Sequence, residues 1–150
     1  VVSDLRRHSR VIAMPMTEGT ESRESTAVQP DVEIYVKRVG ISDIIEWIRL
    51  YFSIDEQKTV SSTLKLKLTR DGSAMTCTIA ENVAKGGYTS IWFDSTSTPW
   101  QTDEECAQDA YNHFQAEIRC SVSGWTPESE DSGGWYRFTE SGKTVVNWFT

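Results

Sequence analysis

The chain has 150 residues, of which 38% are hydrophobic and 25% charged, and its formal net charge is -7 at pH 7. That length fits one domain of ordinary size, and a chain this long removes roughly 70% of its surface from water on folding. No run approaches ~18 consecutive apolar residues, so no membrane span is expected. The acidic balance argues against a general nucleic-acid backbone binder, because neutralising phosphates needs a basic face.

In chain order, Arg6, Arg7, His8 and Arg10 precede Val11-Ile12-Ala13-Met14, a likeness to a secretion signal. The apolar run stops at Pro15, and a signal core needs roughly seven to fifteen apolar residues, so none is expected. Residues 17–30 are polar without an apolar period, and residues 1–30 are read as a flexible arm or linker ahead of a single domain over 31–150. From Asp31 the pattern sharpens. Val32, Ile34 and Val36 alternate with Glu33, Tyr35 and Lys37, the period of two that marks a half-buried strand. Gly40 ends it, and Ser42 is placed to cap a helix with Asp43 in its first turn. Ile44, Ile45, Ile48, Tyr51 and Phe52 form the apolar stripe of that helix, with Trp47 beside it.

A polar stretch from Asp55 to Lys58 leads to a hairpin. Leu64, Leu66 and Leu68 alternate with Lys65 and Lys67, and Asp71-Gly72 supplies a two-residue turn before Met75, Cys77 and Ile79 return. Ala84-Lys85-Gly86-Gly87 turns the chain again, and Tyr88–Phe93 makes a third strand of the meander. Thr102-Asp103-Glu104-Glu105 reads as a capping box opening a helix that runs to about Arg119, with Ala107, Ala110, Tyr111, Phe114 and Ile118 as its buried stripe. A Gly/Pro loop from Ser123 to Gly134 follows. Trp135–Glu140 and Thr144–Phe149 are the last two strands, turning at Ser141-Gly142.

The expected fold class is α+β: an antiparallel sheet of about five to six strands, in the order β-α-β-β-β-α-β-β, with two helices packed on one face. The part α-β-β-β-α-β-β resembles, as a fold-level analogy, the small acidic chaperones of type III secretion, without the final helix usual in that class. The resemblance implies a chaperone or adaptor for an exported protein.

The reactive inventory is sparse. Cys77, Cys106 and Cys120 are three, an odd number that makes no disulfide framework and points to a reducing, cytoplasmic setting. Cys106 and Cys120, if joined by one continuous helix, would stand about 21 Å apart, too far to bridge. His113 falls four residues after Asp109 and four before Glu117, which on a helix makes a surface ion cluster. No zinc-ligand, phosphate-loop or nucleophile-elbow pattern accompanies it, so no metal, cofactor or catalytic residue is assigned.

Acidity concentrates in the second half: residues 71–150 carry four basic against twelve acidic side chains. Glu104, Glu105 and Asp109 on the second helix and Glu128, Glu130 and Asp131 in the loop form a candidate surface for a basic protein partner, which such a field would steer. Trp100 and Trp125, at the ends of connections, are its candidate aromatic anchors. The function read from this is a non-enzymatic protein-binding domain, an inhibitor or immunity-type protein or a chaperone or adaptor, with no nucleic-acid or membrane partner. A small-ligand or carbohydrate-binding module on the tryptophans, and a carboxylate- or metal-dependent enzyme, are the alternatives.

Overall fold

A computed structural model describes residues 30–122 and 134–148. The arm expected over residues 1–30 lies outside them apart from Pro30, and so do Trp125, Glu128, Glu130 and Asp131. The element order is β1 (Val32–Lys37), α1 (Ile41–Arg49), β2 (Ser53–Val60), β3 (Thr63–Arg70), β4 (Ser73–Ala84), β5 (Tyr88–Phe93), α2 (Asp103–Phe114), β6 (Ile118–Ser121), β7 (Trp135–Thr139) and β8 (Gly142–Val146). The protein is a mixed α+β fold, mostly sheet. The described strands form one eight-stranded sheet in the order β2-β3-β4-β5-β1-β6-β7-β8, antiparallel at every pairing. Neither helix is long and apolar enough to cross a membrane.

Eight strands replace the expected five to six, and the two additions have opposite physical causes. β2 is almost wholly exposed because it is the outermost strand, so nothing requires its sequence SIDEQKTV to alternate. β6 is buried at all four positions, Arg119 included, so it lacks alternation for the reverse reason. Its start also shortens the second helix. α2 stops at Phe114, where Gln115 takes a left-handed conformation (φ 56°) and donates its amide to the Tyr111 carbonyl. Cys120 therefore sits in a strand, not on an extension of the helix that carries Cys106.

Strand register sorts the side chains to the two faces. Val32 stands opposite Phe93, Ile34 opposite Ile91 and Val36 opposite Ile118. Leu66 and Leu68 stand opposite Cys77 and Met75. These residues join Ile44, Trp47 and Ile48 of α1 and Cys106, Ala107 and Ala110 of α2 in one core cluster, so both helices cover the same face. Trp47 is at the centre of the α1 stripe rather than beside it. Its ring stacks on Trp100 (5.3 Å, 20°) and meets Phe114 (5.5 Å) and Phe93 (6.3 Å). Each large side chain buried in this way contributes about 1.5–3 kcal/mol.

The local signals act as their chemistry requires. Asp71 and Gly72 both have positive φ (51° and 81°), as the twist-matched two-residue hairpin demands. The expected cap at Ser42 is not made. Gly40 is the N-cap and offers no side-chain bond, so α1 is held by its apolar stripe. Thr102 does cap α2, its hydroxyl accepting the Glu105 amide. The return bond shifts by one residue: Glu105 Oε1 accepts the Gln101 amide at 2.8 Å rather than that of Thr102.

Candidate docking surfaces

The acidic surface begins at α2. Thr102 and the positive end of the helix draw four carboxylates to its first two turns, but the fold uses each differently. Asp103 is buried: its Oδ1 accepts the Glu33 backbone N–H at 2.9 Å and its Oδ2 the Ser121 hydroxyl at 3.3 Å. It pins the helix start to β1 and β6. Glu104 pairs with Lys143 of β8, and Glu105 completes the cap. Asp109, half-buried, accepts the Trp100 indole N–H at 2.8 Å. Burial, together with a hydrogen bond to Asp109, pushes the Tyr51 hydroxyl up to about 12.

Trp100 is a correction to the expected anchor role. It is 4% exposed, stacked on Trp47 and packed edge-on against Tyr51 (5.3 Å). Its indole reaches the rim only through Asp109. Trp100 belongs to the core cluster under the helices, and a ring this buried has no free face to give a partner or a sugar. The surviving acidic patch is Glu104, Glu105 and Asp109, and among the described residues Lys143 is the cation that forms a salt bridge with it.

The helical flank drawn through Asp109, His113 and Glu117 is also corrected. His113 is exposed near the end of α2, with its ring edge-on to Phe114 (5.1 Å). Glu117 lies past the helix end, on the opposite face of the sheet. There it anchors a cluster that sequence reading missed. Glu117 Oε2 accepts the Tyr88 hydroxyl at 2.6 Å and Arg119 Nε at 2.9 Å. Arg137 Nε stands 3.3 Å from the same oxygen without the alignment of a hydrogen bond. Lys37 Nζ is 3.9 Å from Oε1.

Arg119, itself 4% exposed, lies over the rings of Tyr88 (5.3 Å) and Trp148 (4.9 Å). It donates to the Trp148 carbonyl at 2.8 Å. Tyr35, Trp135 and Trp148 close the cluster with edge-on contacts of 4.8–5.6 Å. Burial alone would raise the Glu117 carboxyl. The hydrogen bonds from Tyr88 and Arg119 and the charges of Arg119 and Arg137 outweigh it, and the net shift is downward. The partner group moves the other way: burial and the bond to Glu117 push the Tyr88 phenol up. A carboxyl held ionised among three cations is a structural anchor, not a proton donor.

The signal for this cluster was the two-residue spacing in Glu117-x-Arg119 and Trp135-x-Arg137, which puts both members of each pair on one strand face.

The three cysteines are all buried. Burial pushes the Cys77 and Cys106 thiols up, so their thiolate fraction near neutral pH is small. Among the described residues no group of three or more His, Cys, Asp or Glu is placed to hold a metal ion. A shallow depression of about 400 Å³ lies between the end of α1 and the β3–β4 turn, lined by Arg49, Leu50, Tyr51 and Arg70 among others.

Compared with known protein families, curated proteins and solved structures, the chain matches none.

Proposed function

We propose that this chain is a non-enzymatic docking domain for another protein, of the inhibitor or immunity type or a chaperone or adaptor, and that it meets a basic partner through the acidic side of α2. The observation that supports this reading is the unequal distribution of charge across the sheet. On the helix side, Glu104, Glu105 and Asp109 gather at the start of α2, with Lys143 the cation paired to them among the described residues. On the opposite side, Lys37, Arg119 and Arg137 surround Glu117, with Glu33 buried beside Tyr35 on the same face. A basic partner is drawn to the acidic start of α2 by this local field. Glu128, Glu130 and Asp131 extend the acidic surface in this reading, and Trp125 remains the anchor that the sequence proposes.

The test is kinetic. Once a basic partner is recovered from the native host, Glu104→Lys with Glu105→Lys slows association about tenfold at low salt and has little effect at high salt. Reversing Glu128, Glu130 and Asp131 together slows it further. An association rate that ignores both the substitutions and the salt removes this reading.

A further inference from the structure

The two ends of the sheet are unequal. β2 is guarded by its sequence: Asp55, Glu56 and Lys58 lie within it, and its register slips between Ile54 and Glu56. Charges and a bulge are the usual devices that stop a sheet edge from taking up another strand. At the other end β8 reads Gly142-Lys143-Thr144-Val145-Val146. It has regular register with β7 from Val146 to Gly142. Its one charge, Lys143, is already paired with Glu104 and lies 4.5 Å from the centre of the Tyr136 ring. Val145 is 57% exposed. Among the described residues no strand pairs with the outer side of β8.

We propose that this edge takes an extended segment of a protein partner as a ninth strand, with a basic residue opposite Val145 and uncharged residues on either side of it. The proposal rests on the protein-docking reading and gives it a mode of recognition. The turn Glu140-Ser141 closes on the pair Thr139 and Gly142. A two-residue hairpin closes on a hydrogen-bonded pair, and such pairs alternate along the ladder. Lys143 and Val145 therefore direct their backbone N–H and C=O outward, where an added strand pairs with them.

Charge decides which residues that strand carries. Val145 is on the helix side, because it stands opposite Tyr136, which shares the helix-side register with Phe138. Glu104 and Glu105 open the helix on that side, so a lysine or arginine there lays its stem on Val145 and brings its charge toward α2. On the other side Thr144 stands opposite Arg137, which favours an uncharged residue.

The test uses the full chain, isotope-labelled for NMR, and two nine-residue peptides of alternating valine and serine, one with a single central lysine and one with a single central glutamate. The expected result is that the lysine peptide shifts the Lys143 and Val145 amides and protects them from exchange. The glutamate peptide should bind at least tenfold more weakly. Val145→Pro removes one outward N–H without touching the β7 ladder, and should weaken binding tenfold or more. Thr59→Pro, at the guarded edge, should leave binding unchanged. Binding that ignores Val145→Pro but is lost with Glu104→Lys and Glu105→Lys overturns the strand proposal while keeping the acidic docking surface. Equal binding of the two peptides at β8 overturns the basic assignment. Concentration-dependent protection of the same amides without peptide assigns the edge to a second copy of the chain and overturns the partner segment. Absence of any peptide-dependent shift overturns the proposal outright.

Discussion

The helix-covered face and the opposite face of the sheet solve the same problem by different means. Under α1 and α2 the residues are aliphatic and aromatic, with Trp47, Phe93 and Trp100 interleaved. That face is stabilised by area removed from water and by close packing. Across the sheet no helix is found among the described residues, and Tyr35, Tyr88, Trp135 and Arg119 are buried there too. They enclose one another around Glu117, and the charge left in the middle is neutralised by cations lying against aromatic rings. The two faces should fail differently: the first under cavity formation, the second under removal of a charge.

Trp47→Ala should give the largest loss, about 3–5 kcal/mol in urea unfolding, because the hole adjoins four other rings and cannot collapse fully. A loss under 1 kcal/mol would show that the two faces are not packed differently. Glu117→Gln should come next at about 2–3 kcal/mol, since it leaves Arg119 enclosed without its counter-charge. Replacing Arg119 as well should cost much less than the sum of the two single losses, a coupling that a double-mutant cycle measures directly.

The Glu117 contribution also carries a pH signature. Its carboxyl is lowered in the folded state from an ordinary value of 4.5. Its stabilisation is therefore fully present above that value and is lost as pH falls through the lowered one. The parent chain should lose stability more steeply than Glu117→Gln as pH drops below about 4.5, so parallel acid-unfolding curves would contradict the role given to this carboxyl. Thr102→Ala should cost about 1 kcal/mol through the lost cap. Lys143→Ala should cost less than about 1 kcal/mol, because its pair with Glu104 is exposed. A larger effect there would mean that the β8 edge is coupled to the core.

Much of the helix-covered face was legible in the chain. The alternation of Leu64, Leu66 and Leu68, the Asp71-Gly72 turn, and the stripe Ile44, Ile48 and Phe52 each encode a local geometry and one buried side. β2 and β6 were not legible because periodicity reports exposure on one side only. A strand exposed on both sides and a strand buried on both sides carry the same absence of rhythm. Of the candidate site, the capping box and the acidity of α2 were legible because they are local. The place of Trp100 was not, since its ring is positioned by Trp47, Phe93 and Asp109, none of them a near neighbour in the chain except through the helix it precedes. Glu117 was assigned to the wrong element because the helical period runs smoothly past Phe114, while the left-handed turn at Gln115 depends on β6 joining the sheet.

By itself, then, the chain determined its α+β class, its antiparallel meander, the capped start of α2 and its acidic second half. These follow from steric preference, two-residue and 3.6-residue periods, and charge counts, all of which act over a few neighbours. Only the tertiary structure decided which strands are edges, which acid guards a helix and which anchors a cluster of cations, and on which sides of the sheet Trp47, Trp100 and Trp135 lie. Those outcomes depend on contacts between segments far apart in sequence, and a buried charge such as Arg119 becomes tolerable only once its distant partners have assembled around it.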